Sequence, residues 1–249
     1  MGMLDRFKKK KDEVSPGGST IYKYDEVGDK EWRAPVAYGE FAEDVNKHFE
    51  TLFPGRETFV FHEIVSDLVH IDVNVMKPSE KDNFYVIYTT GMSDLPMSVP
   101  EELKDHEDLS YAELFMFLPA SWDPGELLAI STDMPYENFW PIQWIKFLAR
   151  FPHEYKTWLG WGHTIPNGAD YEPILDDSEM SGMLLDEPNE NFSPITVKGG
   201  TKLHFYMVVP VSKAETEYKL EYGMEALTEK FAEQDLPLVI DIHRKSIIL

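Results

Sequence analysis

Apolar residues first recur at helical spacing at Phe41, Val45, Phe49 and Leu52, and Pro54-Gly55 stops the run, which predicts an opening helix. Phe59 to Val65 reads as a strand. Val69, Ile71, Val73 and Val75 alternate with His70, Asp72 and Asn74, the pattern of a half-buried strand with one wet face. Asn83 to Thr90 and Tyr111 to Leu118 predict further strands, separated by a loop from Gly91 to Asp108 that is rich in Pro, Glu and Asp. Pro141 suits the first position of a helix carrying Ile142, Ile145, Leu148 and Ala149 and ending before Pro152. Gly160 to Pro194 has little periodicity and reads as a long surface excursion with one short strand near Met183-Leu184-Leu185. Leu203 to Val211 is the most apolar strand, nearly continuous as a strand buried on both faces should be, and is expected at the centre of the sheet. Leu220, Met224, Leu227 and Phe231 predict one long final helix, and Leu238 to Ile242 a last short strand. The expected fold class is α+β, a single domain with a mixed β-sheet flanked by helices.

Length and composition agree with a folded domain. The chain has 249 residues, of which 43% are hydrophobic and 13% aromatic, enough to bury a sizeable core. It has no cysteine, which excludes disulfides, thiol catalysis, iron–sulfur clusters and cysteine-ligated zinc. Charge narrows the partners. With 45 acidic and 23 basic residues the formal net charge is -22, so the chain repels nucleic acid and anionic membrane surfaces and attracts basic proteins. No apolar run approaches the roughly 20 residues of a membrane span. No signal peptide opens the chain, and the expected location is cytoplasmic. The first eighteen residues stand apart: Met1 to Lys11 holds Arg6 and Lys8 to Lys11 against Asp5 alone, leaving 44 acidic and 18 basic residues elsewhere. Residues 1–18, ending in Ser15-Pro16-Gly17-Gly18, are expected to be a disordered basic tail, with residues 19–249 forming the domain.

The sequence carries no complete catalytic motif. His62-Glu63 begins like a zincin motif but lacks the second histidine, and no other histidine pair has ligand spacing, so neither a metal nor a cofactor is expected. Gly160-Trp161-Gly162-His163 lacks the third glycine of a dinucleotide fingerprint, and Gly91-Met92-Ser93-Asp94-Leu95 lacks the second glycine of a nucleophile elbow. Asp176-Asp177-Ser178-Glu179 reads as a solvated acidic loop, with paired carboxylates or a cation site as the sharper alternative.

Two features point to binding instead. Phe151, Tyr155, Trp158 and Trp161 form an aromatic run into His163; part of it reads as core, while Trp158 and Trp161 beside Gly160 and Gly162 lie in a loop, where exposed aromatics often anchor partners. Glu217, Glu221, Glu225, Glu229 and Glu233 recur every fourth residue along the predicted last helix; the ridge reads first as an ordinary wet helix face, with a surface for a basic partner that would relieve the repulsion as the alternative. The candidate partner-binding residues are Phe151, Trp158, Trp161, His163, Asp176, Asp177, Glu179, Asp186 and Glu187. The glutamate ridge is the competing surface.

Six segments in order resemble the Suppressor of fused family. They are Tyr88-Thr89-Thr90-Gly91-Met92-Ser93-Asp94-Leu95, Ala112-Glu113-Leu114-Phe115-Met116-Phe117-Leu118-Pro119, and Trp140-Pro141-Ile142 running to Leu148-Ala149-Arg150. Gly160-Trp161-Gly162-His163-Thr164-Ile165-Pro166, Gly182-Met183-Leu184-Leu185 and Leu203-His204-Phe205-Tyr206-Met207-Val208-Val209-Pro210 follow. The resemblance covers roughly residues 36–249. It implies a compact α+β binding domain with no catalytic residues. Animal members are adaptors that restrain transcription factors of Hedgehog signalling, and single-domain bacterial members resemble immunity proteins that neutralise secreted toxins, often nucleases. This chain has the bacterial format, and it carries Gly162 where the animal proteins have an acidic residue before the histidine. The resemblance and the charge together give three functional expectations. The first is an immunity protein that masks a basic toxin, as a monomer or weak dimer. The second is an adaptor for another basic protein or peptide, and the third a hydrolase using His163 with Asp176 or Asp177.

Overall fold

The computed structural model describes residues 13–24, 33–35, 38–64, 66–103, 109–125 and 136–248. A short hairpin of β1 (Glu13–Val14) and β2 (Thr20–Ile21) precedes α1 (Ala42–Leu52), which buries Val45 and Phe49 and ends before Pro54-Gly55. Then come β3 (Thr58–Phe61), β4 (Asp72–Met76), β5 (Phe84–Thr90) and β6 (Ala112–Pro119). The rest is α2 (Tyr136–Tyr155), β7 (Thr164–Pro166), β8 (Met180–Asp186), β9 (Ile195–Thr196), β10 (Lys202–Ser212), α3 (Lys213–Tyr222) and α4 (Met224–Glu233). Eight strands make one mixed sheet in the order β3-β4-β5-β6-β10-β8-β7, with β9 beside the start of β10. Every pairing is antiparallel except β6 with β10.

Helices cover both faces, which explains why β6 and β10 are apolar on consecutive positions. On one face Leu114, Met116, Tyr206 and Val208 pack with Ile142, Ile145, Leu148 and Ala149 of α2. On the other, Phe115, Phe117, Phe205 and Met207 pack with Val45 and Phe49 of α1, and Leu184 and Val211 with Met224 and Leu227 of α4. The mixed sheet, the flanking helices and the central place of Leu203 to Val211 are as expected. Among the described residues no helix is long and apolar enough to cross a membrane.

Several sequence expectations need correction. The helix expected from Pro141 to before Pro152 begins a turn earlier and continues through Pro152, because each proline removes only one backbone bond from twenty well-packed residues. The wet face expected on β4 is covered, and Asn74 is buried with its amide donating to Thr90 Oγ1 at 3.2 Å. The strand expected to reach Val65 ends at Phe61, where the Asp72 carboxylate, rather than a ladder partner, accepts the Glu63 N–H at 3.0 Å. Val65 itself and residues 104–108 of the predicted loop lie outside the described residues.

Within Gly160 to Pro194 the short strand expected near Met183-Leu184-Leu185 is the seven-residue buried β8, and β7 is an additional strand. The Met-Ser-Gly start of β8 hides the strand period, and Gly182 lets β7 approach, since a Cβ there would sit 3.0 Å from the Ile165 carbonyl oxygen. The single final helix is two, broken at Gly223, whose φ of 94° belongs to glycine. The last strand reduces to a parallel bridge between Val239 and Phe117, where β6 has run past its pairing with β10. Of the expected tail, residues 1–12 lie outside the described residues. Ser15 to Gly18 forms a docked turn: Ser15 is buried, and Gly17 N donates to the Leu220 carbonyl at 2.8 Å.

Candidate functional site

The polar residues of the sequence motifs are largely spent inside the fold. Glu113 on β6 is fully buried, and burial pushes its carboxyl above the usual carboxylate range. Four donors hold it: Thr89 Oγ1 at 2.6 Å, Ser93 Oγ at 2.6 Å, and the Gly91 and Ser93 amides, each at 3.0 Å. Gly91 adopts φ 106°, and a Cβ there would lie 1.9 Å from the His70 carbonyl oxygen. Asp94 next caps the chain ahead of α1 by accepting the Gly39 and Glu40 amides. The first two motifs are therefore a folding knot between β5 and β6. Glu215, also fully buried, plays a similar part for the C-terminal segment. It closes a capping box with Ser212, pairs with Arg244 through both oxygens at 2.6 and 2.8 Å, and accepts the Ile247 amide at 3.0 Å.

At one end of β8 the predicted aromatic residues do meet. Gly160 carries no Cβ because the Trp158 ring folds across it, where a Cβ would come within 2.6 Å, so Trp158 packs against the core. It stands 4.4 Å from His163, centroid to centroid. Burial first, and the neighbouring Lys219 next, push His163 down to about 4, so it is neutral at pH 7. Phe151 is half-buried under Tyr24, 5.2 Å away edge-on. Trp161 is the one of these that faces out, 44% exposed, with its indole N–H donating to Asp186 at 3.1 Å. Gly162, at φ 75°, rests against Met224, which a Cβ would approach to 3.2 Å. That contact sets Trp161 beside the break between α3 and α4, where Glu221, Tyr222 (57% exposed) and Glu225 face solvent. Of the loop aromatics, Trp161 thus lies toward the middle of the glutamate ridge, which the sequence offers as its rival. Glu187 lies next to Asp186 in sequence, its carboxylate 3.8 Å from His204 Nδ1.

Asp176, Asp177 and Glu179 belong elsewhere. They precede β8, whose seven residues at about 3.3 Å each separate them from Asp186 by roughly 20 Å. This separation removes the pairing of His163 with Asp176 or Asp177 that the hydrolase expectation required. Glu179 is bonded to Lys245 at 2.9 Å and to the Ser246 amide at 2.9 Å. Asp176 and Asp177 face a cleft of about 1030 Å³ between the end of β6, the start of α2 and the C-terminal segment.

Sequence reasoning missed Tyr22, Tyr24, Lys219 and Tyr222. The first two lie in a segment without periodicity, and Lys219 is a buried amine, brought down to about 8 by burial, on a helix whose polar spacing suggested solvent. It also missed a hydrogen-bonded chain at the β3–β4 turn. There Ser66 Oγ lies 2.6 Å from His70 Nδ1, and His70 Nε2 lies 3.1 Å from Asp72, which also bonds His62. The chain ties that turn to β4. Among the described residues no group of three or more His, Cys, Asp or Glu is placed to hold a metal ion.

Comparison with known proteins agrees with this picture. The sequence profile described as Suppressor of fused protein (SUFU) matches residues 67–245. No curated protein matches the chain. Among solved structures, a SUFU homologue from Neisseria gonorrhoeae FA 1090 is similar at TM-score 0.60 and 15% identity, over 84% of this chain and 98% of that one. The Sufu–Fu complex matches at TM-score 0.57 and 14% identity, over 82% and 91% respectively. Drosophila Suppressor of Fused matches at TM-score 0.56 and 13% identity over 82% of this chain, which spans 50% of that protein. At such identities the likeness shows a shared fold.

Proposed function

The chain belongs to the Suppressor of fused family, and from that membership we propose that it acts as a cytoplasmic immunity protein, binding and masking a basic toxin without catalysing a reaction. The observation that carries the reading is the surface around Trp161. An exposed indole next to Asp186 sits beside exposed Tyr222, Glu221 and Glu225, on a chain of net charge -22. Such a surface suits a cationic partner: the carboxylates speed encounter, and the aromatics hold the docked complex, in part by cation–π contact. A nuclease gripping phosphate presents the complementary charge, and an acidic protein seated in its groove excludes substrate. One comparison supports a binding role, since a relative of the same fold is solved in complex with Fu.

Co-expression with the toxin-like product of a neighbouring gene tests the proposal by growth. The native chain should protect, and Trp161→Ala combined with Asp186→Asn should abolish protection while leaving the melting temperature within a few degrees. Unchanged protection by the double variant would remove this surface from the interface. Failure of any neighbouring gene product to bind would overturn the immunity reading in favour of an adaptor for another basic protein.

A further inference from the structure

We propose that the cleft between the end of β6 and the C-terminal segment is a second docking site, which takes an extended lysine- or arginine-bearing segment of a partner protein. The proposal rests on the binding reading above and adds a place and a chemistry to it. The cleft follows from the topology. β10 pairs with β6 only as far as Phe115 and Met207, then leaves it to continue along β8. Val239 and Ile240 take the vacated place beside Phe117, with Ile240 N donating to the Phe117 carbonyl at 2.9 Å. The space left open, about 1030 Å³, reaches the top of the range for small-molecule pockets and exceeds the needs of one side chain. Its apolar lining is Trp122, Trp140, Ile174 and Ile240, and Tyr136 at its edge is 44% exposed.

Charge identifies the occupant. Asp123, Glu137, Asp176, Asp177 and Asp241 all line the cleft, and no lysine or arginine lines it among the described residues. The one basic group present is His243, 3.5 Å from Asp177. Elsewhere the chain places its scarce cations against inward-facing carboxylates: Lys146 and Arg150 meet Glu63, and Arg244 meets Glu215. Five carboxylates around an apolar floor repel one another until a cationic ligand enters. A segment alternating basic and apolar side chains satisfies both the rim and the floor, as an extended peptide does with its two faces.

The test is fluorescence anisotropy of the full chain with a labelled short peptide of alternating arginine and leucine, at about 0.15 M salt. Asp176→Asn, Asp177→Asn and Asp241→Asn together should weaken binding at least tenfold. The charge-matched control Glu43→Gln, Glu50→Gln and Glu80→Gln, at exposed positions of α1 and the β4–β5 turn, should change it less than twofold. Replacing the leucines of the peptide by serine should also weaken binding at least tenfold. Equal losses in the two triple variants, or no loss in either, would overturn the proposal, because the peptide would then be sensing bulk charge. Undiminished binding of the serine peptide would overturn it too. Removing residues 1–12 should leave the affinity unchanged, and a tenfold gain would show that the chain's own basic segment fills the cleft. If the peptide fails while toxin protection through Trp161 persists, this proposal falls and the immunity reading stands.

Discussion

Gly91 shows how a single residue fixes this fold. With φ at 106° and the His70 carbonyl oxygen 1.9 Å from any Cβ, the position admits glycine alone. Gly91→Ala should cost at least about 3 kcal/mol, read as a lower midpoint in urea unfolding. A loss under 1 kcal/mol would mean that the turn rearranges freely. His163 makes a pH statement. The unfolded chain takes up its proton near pH 6.5 and the folded chain only near 4, so the folded state loses stability as pH falls between those values. The limit is about 1.4 kcal/mol for each pH unit crossed. His163→Gln should flatten that acid limb in melts between pH 7 and 4, leaving the parts due to His48 and His153, which burial also holds neutral. An unchanged slope would show that His163 is protonated as readily in the folded chain as in the unfolded one.

Among the elements, those with strong local signals were readable from sequence and those defined by tertiary partners were not. β10 and β6 announce themselves through unbroken apolar runs, and α1 through its 41-45-49-52 stripe ended by Pro54-Gly55. Val208 is fully buried where β10 pairs with β8, so Val208→Asp should abolish soluble expression by stranding a charge. Ordinary yields of that variant would place the strand at a wet edge. β8 was legible only at Met183-Leu184-Leu185; its Met180-Ser181-Gly182 start lacks strand propensity and is recruited by β10. The α3–α4 break escaped because the apolar spacing passes through Gly223, and only the glycine's left-handed φ shows two helices. Beyond the Val239–Phe117 bridge and the Glu179 contacts, the C-terminal segment is held by a charge pair on buried Glu215. Glu215→Ala would leave Arg244 unpaired and should cost about 3–5 kcal/mol in chemical unfolding, whereas a near-neutral effect would contradict the role given to the pair.

Taken whole, the molecule is a three-layer domain of net charge -22, with one acidic surface toward each end of β8. Composition made the charge legible, but nothing local in the sequence could show that Gly162, next to Trp161, meets Met224, next to Glu225, while Asp176 and Asp186 lie apart. Those relations come from the Gly162–Met224 contact and from the length of β8. Truncation bears on the N-terminus at this scale. Removal of residues 1–12 should leave the melting temperature unchanged, whereas removal through Gly18 should lower it by breaking the Gly17–Leu220 bond and opening the turn around Ser15. Equal melting temperatures for the two truncations would contradict the docking of that turn. The central claim is capture of a basic partner by an acidic surface with an aromatic anchor, and binding kinetics against the toxin-like neighbour test it most directly. With the chain immobilised, the association rate should fall at least tenfold between about 0.05 and 0.5 M salt while the dissociation rate barely moves, and Trp161→Ala should raise the dissociation rate alone. An association rate indifferent to salt, together with a Trp161→Ala variant that dissociates no faster, would contradict the account.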